Sequence, residues 1–328
     1  MRTRSNLLFG LTLVAISSVL LLRALGLIPD GLYDLLSRAW PAVIILFGLV
    51  YLLRNRVPLG GLIALAISVA LVVNVALIAF SVRTSQQRDD NVQQIAQEIG
   101  SDVSLLQLSV DTLRTDLNIG VSLVDDKIVS GEFIGSTENR ITVEYEPGEG
   151  GLATLTFSEE QPNAFPMLEA VGRGQLNIDL PADLAIDLLV ISEQGSALLN
   201  LTNIDLERLN FDLLQGDAQV TLPEYEPLSP SFQQGGDTIT GTITIRSGDL
   251  VLQVPETIGS RLELRRLNAG VDREFDETAY RALENDVLES RNYEDVERRV
   301  RYSINVSQLL RVEQIESLDG LSTNDSGT

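Results

Sequence analysis

The residues able to do chemistry in this chain are carboxylates and little else. Its 328 residues include 46 acids against 24 basic residues, a net charge of −22, with no histidine and no cysteine. That composition removes disulfides, thiolate and imidazole metal sites, and the Ser-His-Asp and Cys-His triads. It leaves the compartment open, because a disulfide-free chain can sit on either side of a bacterial membrane. It also argues against nucleic acid as a partner, since phosphates repel an acidic surface. Carboxylates alone can still cleave glycosides in pairs or hold calcium. The adjacent pairs are Asp89-Asp90, Asp125-Asp126 and Glu159-Glu160. Neighbours on a strand point to opposite faces, so such pairs do not converge by themselves. No Asp-x-Asp-x-Asp-Gly loop is present either. The pairs are expected to be solvated surface acids, with no catalytic residue, cofactor or metal to assign.

The elements that must position these residues are organised around one repeated phrase. Gly174-Gln-Leu-Asn-Ile-Asp-Leu-Pro181, Gly195-Ser-Ala-Leu-Leu-Asn-Leu201, Gly216-Asp-Ala-Gln-Val-Thr-Leu-Pro223 and Gly248-Asp-Leu-Val-Leu-Gln-Val-Pro255 share a glycine start and period-two hydrophobics. The first three glycines are 21 residues apart and the fourth follows 32 later. A period near 20 predicts a stacked β architecture in which each rung buries its apolar face on its neighbours. Further strands are predicted at 103–110, 113–124, 140–145, 152–157 and 302–306, with a turn at 148–151 and a loop or short helix within 272–299. From Gly151 to Glu256 there are 16 acids and three basic residues, which predicts a negative field able to attract a cationic peptide or basic domain; plain solubility accounts for it too. The mixed charges from Arg261 to Arg301 read as a salt-bridged end of the solenoid.

The N-terminal 83 residues are a different material. Apolar runs predict three membrane helices, over 7–27, 35–53 and 59–82. In the third, Ala66, Ala70 and Asn74 fall at i, i+4 and i+8, a stripe of small side chains ending in an amide. This is a candidate helix-docking stripe; packing against the chain's own first two spans is the simpler reading. Residues 84–100 turn polar, with Val92, Ile95, Ala96 and Ile99 at helical spacing, and predict an amphipathic linker helix. The β domain is then expected over 101–311, and 312–328 as a disordered tail. Arg2 and Arg4 ahead of the first helix favour an inside start, which after three spans leaves the β domain extracytoplasmic.

Two blocks of residues carry a family resemblance. Leu25-Gly-Leu-Ile28 and Trp40-Pro-Ala-Val-Ile-Ile-Leu-Phe-Gly-Leu-Val-Tyr-Leu-Leu53 resemble the transmembrane region of LiaI/LiaF-type bacterial envelope proteins. Leu113-Arg-Thr-Asp-Leu-Asn-Ile-Gly-Val-Ser-Leu123, Val129-Ser-Gly-Glu-Phe133, the Gly-Asp rungs and Arg291-Asn-Tyr293 resemble the toastrack β domain of the same proteins. The resemblance implies an α-helical membrane block plus an all-β domain of stacked strands. It implies a multi-pass protein of the bacterial cell membrane that regulates or senses envelope stress without catalysis, by restraining a partner such as a membrane histidine kinase. LiaF-type proteins commonly have four spans, whereas three are read here. A surface scaffold or adhesin-like protein, and a carbohydrate-active β-helix enzyme, are the alternative readings. The bilayer, a membrane protein and a second copy of the chain are the candidate partners.

Overall fold

The computed structural model describes residues 41, 44–45, 66–67, 70, 73–74, 77–78, 80–83, 85–122, 127–163, 167, 171–224, 238–266, 271–284, 286–296 and 298–316. Contacts divide the chain into two compact units: 1–88 with 136–138 and 161–172, and the remainder. In the first unit every described residue from 41 to 83 is helical. The last helical turn closes where Ser85 Oγ donates to the Val82 carbonyl at 2.9 Å and the Arg83 guanidinium donates to Gln86 Oε1 at 3.1 Å. Among the described residues no helix is long and apolar enough to cross a membrane. Most of the three spans expected at 7–27, 35–53 and 59–82 lies outside the described residues.

The second unit is all β. Its strands are β1 (Asn91–Glu98), β2 (Leu105–Thr112), β3 (Thr115–Val121), β4 (Ile128–Gly135), β5 (Arg140–Pro147), β6 (Leu152–Glu160), β7 (Gly174–Leu180), β8 (Ala185–Gln194), β9 (Ala197–Asn200) and β10 (Leu206–Gln215). They continue with β11 (Ala218–Thr221), β12 (Thr238–Ile245), β13 (Leu250–Pro255), β14 (Gly259–Arg266), β15 (Asp272–Phe275), β16 (Tyr280–Leu283), β17 (Val287–Ser290), β18 (Arg299–Val306) and β19 (Leu309–Ile315). They form a nine-stranded sheet, β1-β4-β7-β3-β9-β11-β13-β19-β15, and a ten-stranded sheet, β16-β17-β14-β18-β12-β10-β8-β2-β6-β5. The two orders mirror each other. Each rung is one strand of the ten-stranded sheet followed in sequence by one of the nine-stranded sheet, as in β8–β9, β10–β11 and β12–β13. Neighbouring rungs pair in parallel. Spatial order departs from chain order at both ends: β2–β3 lies between β6–β7 and β8–β9, and β18–β19 between β12–β13 and β14–β15.

Alternation sends one residue in two into the core. Leu106, Leu108 and Val110 of β2, Ile186, Leu188 and Val190 of β8, and Leu209, Phe211 and Leu213 of β10 are at most 2% exposed. Leu199, Val220, Leu252 and Val254 come from the other sheet and are fully buried. Burying each such side chain contributes about 1.5–3 kcal/mol toward holding the two sheets together.

Three expectations are corrected. The linker helix over 84–100 is replaced by strand: residues 91–98 are β1, paired with β4 along its whole length from Asn91↔Gly135 to Glu98↔Ile128. The helical spacing of Val92 and Ala96 has no packing role, for both are exposed, while Ile95 and Ile99 are buried. Gln93 decides the matter by closing onto β5 like a strand, its Nε2 donating to the Ile141 carbonyl at 2.7 Å and its Oε1 accepting from Ile141 N at 3.3 Å. Second, 272–299 is not one loop or helix but supplies the short strands β15, β16 and β17 with turns between them. Third, the β domain outruns 101–311 in both directions. It starts at β1 and ends with β19, which takes Val312 to Ile315 from the expected disordered tail through pairing with β13. Residues 317–328 lie outside the described set.

The glycine-started rungs are present, and the glycines have a steric reason. Gly195, Gly216 and Gly248 have φ of 152°, 143° and 146°. A Cβ on Gly216 would lie 1.8 Å from the Gly195 carbonyl oxygen, and one on Gly248 1.9 Å from that of Gly216. Gly216→Ala should therefore destabilise the protein by about 2–5 kcal/mol, combining a backbone conformation closed to L side chains with a backbone clash. Gly120→Ala is the matched control, since a Cβ there meets nothing within 4 Å. Urea unfolding of the two variants should separate them clearly, and equal midpoints would contradict the steric account.

Candidate functional site

Of the three adjacent acid pairs, Glu159-Glu160 is built into the fold. Glu159 and Glu160, adjacent in β6, point to opposite faces. Glu160 lies outward against Arg140, whose Nε donates to its Oε2 at 2.9 Å, and this hydrogen bond holds its carboxyl below the ordinary range. Glu159 points inward and is 6% exposed, so it corrects the expectation of a solvated acid. Its Oε2 accepts from Leu113 N at 2.6 Å, Arg114 N at 2.9 Å and Thr115 Oγ1 at 2.9 Å, and its Oε1 from Asn139 Nδ2 at 2.6 Å. Four donors replace the lost hydration, which is what lets a charge stay buried. The β2–β3 corner thus has a carboxylate where later corners have glycine. The signal was in the alternation of β6, where Ala153, Leu155, Phe157 and Glu159 share one face. Asp89 and Asp90 are exposed, and Asp125-Asp126 lie outside the described residues.

The corner aspartates are equally committed. Asp116 Oδ1 accepts from Ser196 N at 2.7 Å, Asp217 Oδ1 from Asp249 N at 3.0 Å, and Asp249 Oδ1 from Leu309 N at 3.0 Å. The Gly-Asp phrase is therefore a corner device in which each aspartate caps a backbone N–H of the adjacent rung. Among the described residues no group of three or more acids is arranged to hold a metal ion.

The far end of the solenoid carries the salt bridges expected there. Glu289 of β17 is 1% exposed and lies between Arg261 of β14 and Arg281 of β16, whose Nε atoms donate to it at 2.6 and 3.0 Å. Burial pushes its carboxyl up, but the hydrogen bonds and charges of Arg281 and Arg261 outweigh burial, and the net direction is downward. Arg261 also stacks over the Tyr293 ring at 4.4 Å. Beneath it the Tyr280 hydroxyl meets Ser260 Oγ at 3.0 Å, and burial pushes that phenol up to about 12. Arg301–Glu263, Arg273–Asp286 and Arg311–Glu274 complete the network. Beside it, β15 and β19 leave an open depression of about 450 Å³ lined by Phe275, Asp276, Arg311 and Glu313.

Both sheets also present extended outward faces. The outward side of the nine-stranded sheet carries amides in hydrogen-bonded rows: Gln219 Nε2 donates to Gln253 Oε1 at 3.2 Å and Gln253 Nε2 to Glu313 Oε2 at 3.0 Å. The outward side of the ten-stranded sheet carries Asp111, Asp187 and Asp212, with Arg208 3.8 Å from Asp187 and Arg246 2.7 Å from Asp212. Burial pushes Asp187 up, against the pull of Arg208. Ala66, Ala70 and Asn74 are helical and exposed.

Known proteins resemble the chain in two separate parts. Residues 8–85 match the LiaF transmembrane domain, which makes the N-terminal block a membrane domain. A candidate cell adhesion protein from Clostridium sporogenes has the same β fold: the TM-score is 0.56 at 14% identity, over 69% of this chain and 100% of that one. A candidate adhesin from Bacteroides fragilis aligns over 70% of this chain and 99% of its own at 9% identity, and one from Parabacteroides distasonis over 70% and 100% at 12%. Their TM-scores of 0.25 and 0.23 are too low to speak for a shared fold. No curated protein matches the sequence.

The Glu289 network makes a pH prediction. Because the folded carboxyl lies below its ordinary 4.5, the stability it contributes is full above that pH and is lost as pH falls through the folded value. Glu289→Gln should cost about 1–3 kcal/mol at neutral pH, as expected for a weakened charged hydrogen-bond network. The gap from the parent should narrow on acidification below pH 4.5. Tyr280 works in the opposite sense, with stability lost as pH rises from 10.0 to about 12. Urea midpoints across pH check both, and a pH-independent gap for Glu289→Gln would refute the first.

Proposed function

We propose that this chain is a membrane-anchored, non-catalytic regulator or sensor of envelope stress that acts through protein–protein contacts. One observation carries the reading: a LiaF transmembrane domain at 8–85 shares a chain with a two-sheet β unit whose buried carboxylates and corner aspartates serve the fold. The partner is a membrane protein such as a sensor kinase. Three spans with an inside start place the β unit outside the cytoplasm. The stripe of Ala66, Ala70 and Asn74 is the surface through which the membrane block meets the partner helix. Residues 84–90 separate Arg83, the last described helical residue, from β1 in sequence, and a connector this short supports the coupling of the β unit to the membrane block. A surface scaffold or adhesin-like role is the second reading, supported by the likeness of the β unit to the Clostridium protein.

Two measurements test this. Ala70→Leu should lower co-purification of the partner kinase and raise the basal output of a stress-promoter reporter, because the added bulk prevents close helix approach. Asn74→Leu should do the same more weakly, about two- to threefold, in line with membrane hydrogen bonds of about 0.6 kcal/mol. A reporter indifferent to deletion of the whole chain would leave the scaffold reading standing. For topology, Glu149→Cys in the exposed 148–151 turn is the chain's sole thiol. It should react with a membrane-impermeant maleimide on intact cells or spheroplasts; labelling only after lysis would put the β unit in the cytoplasm.

A further inference from the structure

Strand β8 departs from the polar pattern of the positions directly beside it. The outward positions of the flanking strands are polar: Ser109 and Asp111 on β2, Asn210 and Asp212 on β10. Between them β8 presents Leu189 and Ile191, 39% and 43% exposed, in register with Ser109/Asn210 and Asp111/Asp212 respectively. Leu214, 50% exposed and two residues beyond Asp212 on β10, extends the patch diagonally. The sequence of β8 says the same. Leu188-Leu189-Val190-Ile191 is an unbroken apolar run, the signature of a strand covered on both faces. Leu188 and Val190 are fully buried inside, whereas the outward pair faces solvent.

The charges around the patch say what kind of surface covers it. Asp187 precedes Leu189, Glu193 follows Ile191, and Asp111 and Asp212 flank Ile191. Arg208 and Arg246 balance Asp187 and Asp212, leaving Asp111 and Glu193 as surplus negative charge. A second copy of a chain of net charge −22 would meet this face with like charge, and an anionic bilayer would be repelled for the same reason. A sheet face takes a helix or a second sheet as its next layer, and a patch of three apolar side chains bordered by carboxylates matches the narrow apolar stripe of a helix, being too small for a second sheet. We propose that this face docks an amphipathic helix of a partner protein, with its apolar stripe on Leu189, Ile191 and Leu214 and its lysines or arginines over the surrounding carboxylates. This rests on the protein-contact reading above and names the surface and partner chemistry through which the β unit works.

The test uses the full chain in nanodiscs of zwitterionic lipid and, as probe, a fluorescent leucine–lysine peptide with an amphipathic helical pattern. Anisotropy is read after subtracting the signal of empty nanodiscs. Leu189→Ser/Ile191→Ser/Leu214→Ser should weaken binding by about tenfold or more, as expected when the central apolar anchors of an interface are lost. Leu198→Ser, 42% exposed on the other sheet, should leave binding unchanged. Asp111→Asn/Glu193→Gln should weaken it several-fold at low salt and flatten its salt dependence. If circular dichroism shows the triple variant to be altered, Leu214→Ser alone, at the most exposed position, carries the test with a smaller loss. Unsaturable binding by the parent, full binding by the serine variants, or equal loss in Leu198→Ser would overturn the proposal. The stress reporter involves no peptide, so failure of the regulator reading and failure of this docking surface are read separately.

Discussion

The stack depends on how closely one corner can lie on the next. Parallel rungs pair only if the chain turns from one sheet to the other at the same height each time, with the backbone of one turn lying against the carbonyl of the turn beside it. At Gly195, Gly216 and Gly248 that approach leaves 1.8–2.2 Å for an absent Cβ, less than any side chain can occupy. The ladder also closes its hydrogen bonds there: Gly195 N donates to the Gln215 carbonyl at 3.1 Å and Gly216 N to the Ser247 carbonyl at 2.9 Å. Once the corners are in line, β8, β10 and β12 are in register, and so are β9, β11 and β13. The inward residues of each rung then meet those of the next without further instruction. The β2–β3 corner lacks glycine and is held by the Glu159 carboxylate, which takes two backbone N–H groups that a tighter turn would have paired.

A stack of parallel rungs has the opposite problem at its ends, where unpaired strand edges invite further pairing. Here antiparallel strands cover three of the four edges, and the short parallel β15 ends the nine-stranded sheet. At one end β4 and β1 extend the nine-stranded sheet and β5 the ten-stranded sheet, with Gln93 tying β1 to β5 through the main chain of Ile141. At the other end β17 and β16 continue the ten-stranded sheet, and Glu289 holds arginines from β14 and β16 on either side of its own strand. A carboxylate shared by three strands fixes their alignment in a way that an apolar side chain would not, since only one register brings both guanidinium groups to it.

Much of this was legible in the sequence for one reason: the rungs are local. Gly174, Gly195, Gly216 and Gly248 announce themselves because the steric demand at each corner falls on one residue and the alternation that follows belongs to one strand. The 32-residue interval before Gly248 was legible as irregular, and it contains residues 225–237, outside the described set. What was illegible depended on distant partners. Val92, Ile95, Ala96 and Ile99 have helical spacing, but β1 is made by eight pairings to β4, and nothing within 84–100 encodes the position of Gly135. The short strands of 272–299 likewise exist because β14 and β19 offer them edges. Glu159 belongs to the inward series of β6, a position that its adjacency to Glu160 does not reveal.

The same distinction bears on where function lies. A carboxylate reads in sequence as free chemical capacity, yet Glu159, Glu289, Asp116, Asp217 and Asp249 each spend that capacity on a backbone N–H or a guanidinium of the fold. The outward acids of β2, β8 and β10 lie on a flat sheet face, where they shape a field. On such a molecule the informative residues are those that the fold does not need. Leu189, Ile191 and Leu214 contribute nothing to the inner faces, and in strands whose other outward positions are polar their apolar character answers to no requirement of the stack. A chain under pressure only to stay folded and soluble would place polar residues there, as the neighbouring strands do.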